Sequence, residues 1–504
     1  MSNRSPMRLV RCVRSFVVLT TLVLSASSQP KQITILHTND IHAHFLPHEA
    51  FWVRKTPKPM VGGFNELAFA IDSVRKTRPT TLLLDAGDLM TGTPISDRRY
   101  LGAEGGALMA MMNLCGYEGT IPGNHDFDIS YSNALKLFSI AKFPVISSNL
   151  VDEASGEPIT HTEYEIYNKG GLKIGAFALM SDDFYNLVSH KSTVGIKLLP
   201  TVETANRMAK LLAPQVDLVV AITHEGADED SVLAMRTSGI DVIVGGHSHT
   251  RLTEPKFVNG VVIVQAGAYC ENLGVLDLTV DHHKVTAYHG VLHELWYNPN
   301  HSPTAVTALV DSFKNDIDKE YGAVIATLKS EWNMQGWESG VGDFLSDAQR
   351  EGAGADVGFM NNTGIRSKLS PGPMTKQDLF EVLPFRNELV KFPLTGKEIR
   401  AIVLYDIERR PGIQESGIAC EWKRDSNGGI EIVSLRVNGK PLDENATYTG
   451  AASDYMTGES KRYLGIDIPN TTFVNETVFD AVLKKVLEEK TIDSKIEGRI
   501  KEEK

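Results

Sequence analysis

The chain has 504 residues, a length at which proteins form two or more domains rather than one core. Its hydrophobic content of 42% and charged content of 23% are those of a soluble globular protein. The formal net charge of −12 argues against nonspecific binding to nucleic acid, which requires a basic surface.

The first 28 residues have the pattern of a secretory signal peptide. A basic region with four arginines and no acidic residue precedes an apolar run at 16–24, and small residues follow at 25–28. The apolar run is too short to span a bilayer. We therefore expect export, to the periplasm or the medium, and no integral membrane segment in the mature chain. The alternative for this segment is a buried N-terminal helix.

Apolar strands alternate with amphipathic helices from residue 31 to about 297. The patterns predict helices at 63–76, 105–114 and 200–212, and strands at 33–36, 80–84, 145–147, 174–178, 218–222, 242–244 and 261–264. Continuously apolar strands separated by helices are typical of layered α/β proteins with buried sheets.

A break at 298–303 is followed by a helical apolar pattern over 304–321, which predicts a connecting helix. A second α/β unit follows, with helices near 342–352 and 396–409, and we expect the charge-rich segment 484–504 to fray. The predicted organisation is a signal peptide, a first domain, a linker helix and a second domain, at 1–28, 29–297, 298–322 and 323–504.

Five polar clusters each follow a predicted strand of the first domain. They are Asp40-Ile41-His42, Gly87-Asp88, Gly123-Asn124-His125-Asp126, Thr223-His224-Glu225 and Gly246-His247-Ser248-His249. Loops at the carboxyl ends of strands converge on one crevice, so clusters spread over roughly 200 residues can meet there. Each histidine alone is most often a surface or core residue. The joint occurrence instead predicts one site with seven oxygen and nitrogen ligands, enough for two divalent metal ions.

Residue type and spacing suggest how these ligands are shared. Asp40 and His42 are two residues apart, so in an extended segment both side chains point the same way and can hold one ion. His247 and His249 follow a glycine and could serve different ions, and the two oxygens of Asp88 could bridge a pair. This mixed donor set suits zinc, manganese, iron or cobalt better than calcium.

The cysteines do not indicate a further metal site. Cys115, Cys270 and Cys420 are widely spaced, with no C-x-x-C motif, so cysteine-ligated zinc is not expected. One disulfide would be compatible with an oxidising compartment, but three separate buried thiols are the simpler expectation.

These clusters resemble the motifs of calcineurin-like metallophosphoesterases. The stretch His37-Thr-Asn-Asp-Ile-His42 and the second domain make the chain similar to the secreted 5′-nucleotidase family, which includes UDP-sugar hydrolases and 2′,3′-cyclic phosphodiesterases. The resemblance implies an α/β fold: a layered metallophosphoesterase β-sandwich flanked by helices, a linker helix and a second α/β substrate-binding domain. It also implies two ligand sets sharing Asp88, namely Asp40, His42, Asp88 and His249 for one metal, and Asp88, Asn124, His224 and His247 for the other.

His125 and Asp128 resemble the catalytic dyad of that family. His125 adjoins a ligand and is placed to donate a hydrogen bond to a phosphoryl or leaving oxygen. Asp128 could fix its tautomer, or alternatively cap a helix. The implied reaction is in-line attack on phosphorus by a hydroxide formed on the metal pair, without a covalent intermediate.

The second domain is similar to the family in its phosphate-binding segment but departs from it at the nucleoside clamp. Arg366 ends a segment that implies contact with the phosphate, and Asn387 matches a base or ribose contact; each is otherwise an ordinary turn residue. Tyr455 matches one of the two rings that sandwich the base in the family, whereas Gly412 stands where the other is expected. Nucleoside recognition is therefore open, with Tyr463 and Tyr405 as substitute rings.

The expected function is an exported dinuclear-metal phosphoester hydrolase that releases phosphate from nucleoside 5′-monophosphates. Its partner is thus a small-molecule phosphoester rather than nucleic acid. One alternative keeps the chemistry but changes the substrate to UDP-sugars, 2′,3′-cyclic nucleotides or a non-nucleotide phosphoester. A second is a non-catalytic binding or adhesion protein on the same scaffold, against which the complete ligand set argues.

Overall fold

A computed structural model describes residues 1, 29–334, 336–426 and 428–503. Apart from Met1, the predicted signal peptide lies outside the described residues. Among the residues described, no helix combines the length and apolar character needed to cross a membrane.

The first half of the chain builds a four-layered unit. Its strands are β1 Lys31–Thr38, β2 His48–Glu49, β3 Met60–Val61, β4 Thr81–Asp85, β5 Arg99–Tyr100, β6 Ala103–Glu104, β7 Leu150–Asp152, β8 Tyr164–Lys169, β9 Leu172–Met180, β10 Ile196–Leu198, β11 Leu218–His224, β12 Val242–Gly245, β13 Lys256–Val258, β14 Val261–Val264, β15 Asn272–Asp281 and β16 Lys284–Glu294. Its helices are α1 Phe64–Thr77, α2 Gly106–Cys115, α3 Tyr131–Ser139, α4 Phe184–Leu187, α5 His190–Thr193, α6 Thr201–Leu212, α7 Ala227–Arg236 and α8 Thr307–Tyr321.

Two sheets pack face to face at the centre of this unit. One has the strand order β16-β15-β1-β4 and the other the order β13-β14-β12-β11-β9-β8. Ile33 and Ile35 of β1 pack against apolar residues of the opposite sheet, such as Val220 and Ile222, in the core between them. The outer faces are covered by α1, α2, α3 and α8 on the smaller sheet and by α6 and α7 on the larger one. The predicted β-sandwich flanked by helices is confirmed.

The second half of the chain forms another α/β unit. Its strands are β17 Val324–Leu328, β18 Val357–Asn361, β19 Gly372–Thr375, β20 Glu388–Thr395, β21 Ile413–Ser416, β22 Ile418–Arg424, β23 Ile430–Val437, β24 Lys440–Pro441, β25 Thr447–Ser453, β26 Thr472–Thr477, β27 Thr491–Ile492 and β28 Ile500–Glu502. Its helices are α9 Gly340–Ala353, α10 Lys376–Val382, α11 Gly396–Arg409, α12 Asp454–Gly458, α13 Ser460–Leu464 and α14 Val478–Glu489. A mixed sheet of order β21-β18-β25-β20-β26 separates a core around α9 and α14 from a core around α11.

The helix that connects the two units packs on the first of them. Val306, Val310 and Ile317 are buried in the same apolar core as α1 and α2. Because this helix is held by the first domain's core, the second domain is tethered at the end of α8 near residue 322.

Two local predictions are wrong. The expected strand at 145–147 is reduced to a single bridge between Val145 and Thr120. The C-terminal segment does not fray, because β28 pairs in parallel with β22 and Arg499, only 8% exposed, forms an ion pair with Asp347 at 2.8 Å. The charges that suggested a solvated tail are instead paired within the domain.

Candidate active site

Strand ends from both sheets bring the polar clusters together. β1 pairs with β4 in one sheet and β11 with β12 in the other, each pair in parallel, so within each sheet the carboxyl ends of the two strands lie at the same edge. Three clusters follow β1, β4 and β12 directly, and Thr223 and His224 of a fourth are the last residues of β11. The cluster at 123–126 instead follows two isolated parallel bridges at Gly119 and Thr120. Residues from all five clusters meet at one edge of the sandwich.

The cluster residues form two groups of potential metal ligands, Asp40, His42 and His249 in one and Asp88, His224 and His247 in the other. Within each group the ligand atoms lie within 4.8 Å of one another. In the first group the Nε2 atoms of His42 and His249 are 2.9 Å apart. Asn124 adjoins the second group, with its Oδ1 3.3 Å from Nε2 of His224. All seven predicted ligands thus lie in one place.

Asp88 lies between the two groups. Its Oδ2 is 3.1 Å from Nε2 of His224 and 3.7 Å from Nε2 of His42. Its Oδ1 accepts the backbone N–H of His125 at 2.8 Å, which fixes the carboxylate plane. The carboxylate that the sequence predicted as a bridge therefore has one oxygen facing both groups.

Backbone carbonyls set the tautomers of two histidines. Nδ1 of His42 lies 3.1 Å from the carbonyl of Met90, and Nδ1 of His224 lies 2.7 Å from that of Ala86. Because a carbonyl only accepts, each Nδ1 carries a proton and each Nε2 faces the cluster, where it can present a lone pair to a metal ion. Imidazole nitrogens and carboxylate oxygens that converge at such short range form a donor set that fits divalent metals.

The electrostatics of the second group also favour positive charge. Burial lowers the pKa of His224, but the Asp88 carboxylate more than offsets this effect, and the pKa is raised to about 10. Without bound metal ions, the negative charge of Asp88 therefore favours positive charge at His224.

The ligands are presented by strained backbone. Asp40, His42, Asp88, His247 and His249 have φ values of 51°, 47°, 58°, 76° and 53°, all in the left-handed region. Such conformations cost about 1–3 kcal/mol each and persist where the surroundings impose them. The expectation that Asp40 and His42 lie in an extended segment is therefore wrong, because a left-handed turn brings the two side chains together instead.

Close approach of two loops requires glycine at position 123. A Cβ there would lie 2.2 Å from the backbone nitrogen of Asp88. Glycine thus lets the loop carrying Asn124 and His125 lie directly against the loop carrying Asp88.

His125 and Asp128 form a hydrogen-bonded pair beside the ligands. Nδ1 of His125 lies 2.8 Å from Oδ2 of Asp128, and the Thr91 hydroxyl donates to the same oxygen at 2.7 Å. Burial lowers the pKa of His125, but Asp128 and Asp88 outweigh it and the pKa is raised, which favours a proton for donation. Asp128 is not the N-cap of α3, because Ser130 occupies that position and its side chain accepts the N–H of Asn133.

The cluster opens into a cavity of about 890 Å³ between the two domains. Arg366, Asn387 and Tyr455, the three residues predicted for substrate binding, all line it. The guanidinium of Arg366 lies 5.7 Å from the centre of the Phe385 ring, and this ring is 5.6 Å from that of His125. The second domain thus brings a cation and an aromatic ring to the cluster.

The structure distinguishes between the substitute rings. The Tyr405 hydroxyl donates to the backbone carbonyl of Arg462 at 3.1 Å, and this ring is not among those that line the cavity. Tyr463 reaches the cavity wall but is only 2% exposed, and its hydroxyl lies 3.2 Å from that of Thr363. Phe473 lines the cavity and is 51% exposed. It was missed because one aromatic residue in a polar strand carries no sequence signal.

Two protein-family models match the chain. Residues 33–251 match the calcineurin-like phosphoesterases, and residues 322–464 match the 5′-nucleotidase C-terminal domain. The first match covers the cluster, and the second covers Arg366, Asn387 and Tyr455.

Curated relatives and solved structures are similar to the chain over both domains. The chain is 27% identical to the trifunctional nucleotide phosphoesterase protein YfkN of Bacillus subtilis over 93% of its own length, but it spans only 35% of that longer protein. It is 26% identical to the protein UshA of Yersinia enterocolitica, covering 90% of each chain. The crystal structure of a 5′-nucleotidase precursor from Thermus thermophilus matches with a TM-score of 0.79 and 28% identity, covering 94% of this chain and 99% of that one.

Proposed function

The chain belongs to the family of 5′-nucleotidases that join a calcineurin-like phosphoesterase domain to a 5′-nucleotidase C-terminal domain, and on this premise we propose that it releases phosphate from nucleoside 5′-monophosphates. It is a metal-dependent phosphoester hydrolase. The observation that supports the proposal best is the position of Asp88, with one oxygen facing two ligand groups beside a cavity that also contains Arg366.

Each proposed domain, 29–297 and 323–504, contributes one part of the site, with 298–322 as the connection. In the first, we assign one metal to Asp40, His42, Asp88 and His249 and the other to Asp88, Asn124, His224 and His247. When bound, two divalent cations supply an activated water nucleophile and neutralise charge on the phosphoryl oxygens.

The remaining steps are assigned to side chains of this chain. Arg366 binds the phosphate, because its guanidinium can form two charge-assisted hydrogen bonds to phosphoryl oxygens. His125 donates a proton from Nε2 to the leaving oxygen, since its Nδ1 is held by Asp128. Asp128, itself held by Thr91, keeps the imidazole oriented and favours its protonated form.

The leaving group lies against the second domain in this proposal. Tyr455 and Phe473 supply aromatic surface to the cavity, and Asn387 supplies an amide for polar contacts. Gly412 offers no ring, so the clamp differs from that of the family pattern. This difference supports a second candidate, the same chemistry on a phosphoester whose leaving group is not a nucleoside.

A substrate panel separates these candidates. Purified protein with a measured metal content is assayed with 4-nitrophenyl phosphate, AMP, UDP-glucose, 2′,3′-cyclic AMP and glucose 6-phosphate, each with and without EDTA. We expect the highest kcat/KM with AMP and complete loss of activity with the chelator. A higher kcat/KM with glucose 6-phosphate would favour the second candidate. No hydrolysis of any compound by metal-loaded protein would instead support a non-catalytic role.

Replacement of Arg366 tests the phosphate-binding assignment. We expect Arg366→Gln to lower kcat/KM about 10- to 100-fold, because a charge-assisted hydrogen bond contributes about 1.5–3 kcal/mol. Metal content should not change, since Arg366 belongs to the other domain. Lys368→Gln removes the same charge from an exposed position two residues away and should leave kcat/KM within twofold. Equal effects of the two substitutions would contradict the assignment.

We also propose that the chain is exported. The support is the succession of basic, apolar and small residues over 1–28. Protein recovered from outside the cytoplasm of the host should begin near Gln29 when its N-terminus is sequenced. An intact Met1 on that protein would contradict cleavage of a signal peptide.

A further inference from the structure

Arg386 forms ion pairs that cross from the second domain to the first. Its Nη2 is 2.9 Å from Oδ1 of Asp97 and 3.1 Å from Oε2 of Glu104, and its Nε is 3.1 Å from the same Asp97 oxygen. Asp97 ends the 3-10 turn Pro94–Asp97, and Glu104 lies in β6. One guanidinium therefore holds two carboxylates of the opposite domain.

The residue before Arg386 contacts the catalytic histidine of the first domain. Phe385 precedes Arg386, and its ring lies 5.6 Å from that of His125 and 5.7 Å from the guanidinium of Arg366. The carbonyl of Asn387, on the other side, accepts the backbone N–H of Val478 at 2.9 Å. This segment is thus fixed to its own domain while Phe385 contacts the catalytic pair of the other. Because Phe385 and Arg366 belong to the same domain as Arg386, the position at which Arg386 is held also determines theirs.

From these contacts we propose that Arg386 is a positioning residue. Its ion pairs with Asp97 and Glu104 form a latch that holds the second domain closed over His125 and sets the distance between Arg366 and the metal ligands. The inference rests on the proposed function, since it concerns how that site is assembled.

The exposure of the latch suits a reversible contact. The Arg386 side chain is 49% exposed and those of Asp97 and Glu104 are 26% and 30% exposed. Ion pairs exposed to this degree are individually weak and are screened by salt. A weak latch shifts the balance between closed and open forms only a few-fold, which still allows the cavity to open for product release.

Other contacts keep the domains together when the latch is removed. The Ser370 hydroxyl donates to Glu49 across the boundary at 2.6 Å, and Lys58 lies 3.6 Å from Glu331. Neither contact involves the segment 383–387. Loss of the Arg386 ion pairs should therefore change domain placement without unfolding the chain.

Kinetics of latch variants test the proposal. We expect Arg386→Gln to lower kcat/KM for 4-nitrophenyl phosphate about three- to tenfold with full metal content, and Arg386→Lys to restore part of it. The double variant Asp97→Asn/Arg386→Gln should be no worse than Arg386→Gln alone, since Arg386→Gln already breaks the ion pair that Asp97→Asn removes. Added NaCl should lower kcat/KM more steeply in the wild type than in Arg386→Gln. Arg409→Gln, at an exposed position of α11, is the matched control and should match the wild type.

A distance measurement tests the latch independently of turnover. Spin labels at Lys210→Cys and Lys440→Cys, exposed positions in the first and second domain, report domain separation by pulsed electron resonance. We expect one dominant distance in the wild type and a broader or longer distribution in Arg386→Gln. An unchanged distribution, or unchanged kcat/KM, would overturn the proposal. A wild type that hydrolyses nothing but shows the predicted change in distance would instead contradict the proposed function.

Discussion

Asp88→Asn is expected to remove both metal ions and nearly all turnover. The substituted amide keeps the shape of the side chain and an acceptor for the His125 N–H, but it removes the charge that faces His42 and His224. Loss of a residue that only hydrogen-bonds to a metal ligand typically lowers metal affinity or activity about 10- to 100-fold. Asp88 would contact both metals itself, so we expect its replacement to lower kcat by at least about 10³-fold.

Metal analysis and an aryl phosphate assay measure this effect together. The wild type should contain two metal ions per chain and the Asp88→Asn variant fewer than one. Asp72→Asn, which removes an exposed carboxylate from α1, should keep both the metals and the activity. A variant at Asp88 that retains two metals and substantial turnover would refute the bridging role.

His125→Gln is expected to lower kcat while the metal content remains complete. The imidazole pairs with Asp128 through Nδ1 and is not part of either ligand group. Loss of a positioned proton donor typically costs about 10²–10⁴-fold in rate. Asp128→Asn should have a smaller effect, because it removes the group that orients the donor and not the donor itself.

The leaving group provides a specific check on this role. 4-Nitrophenolate leaves readily without a proton, whereas the alkoxide of AMP does not. The deficit of His125→Gln should therefore be larger with AMP than with 4-nitrophenyl phosphate. An equal loss of kcat with both substrates would argue against proton donation by His125. Loss of metal from the variant would instead make His125 a metal ligand.

Much of the fold could be predicted because its strands are continuously apolar. The pattern at 261–264 coincides with β14, and that at 396–409 coincides with α11. The hairpin of β15 and β16 was missed, since β16 has one face in solvent and reads as a polar segment. The prediction of a strand at 145–147 was wrong because this short apolar run packs as a loop with a single bridge to Thr120.

Six of the seven proposed ligands, all but Asn124, could be placed together from sequence because they end or follow strands whose carboxyl ends meet at one edge. The backbone that presents them could not be predicted, since left-handed Asp40 and His42 result from tertiary packing and not from local preference. The residues that the second domain contributes around the cavity were harder still to predict from sequence. Phe473 and Arg386 matter only because another segment or domain lies opposite, and neither has a local motif.

Anomalous diffraction from crystals grown with manganese would locate the metal ions themselves. We expect two anomalous peaks about 3.5–4 Å apart on either side of the Asp88 carboxylate. One peak should contact His42 and His249, and the other His224 and His247. A single peak, or two peaks that do not share Asp88, would show that the chain does not hold a metal pair bridged by this carboxylate.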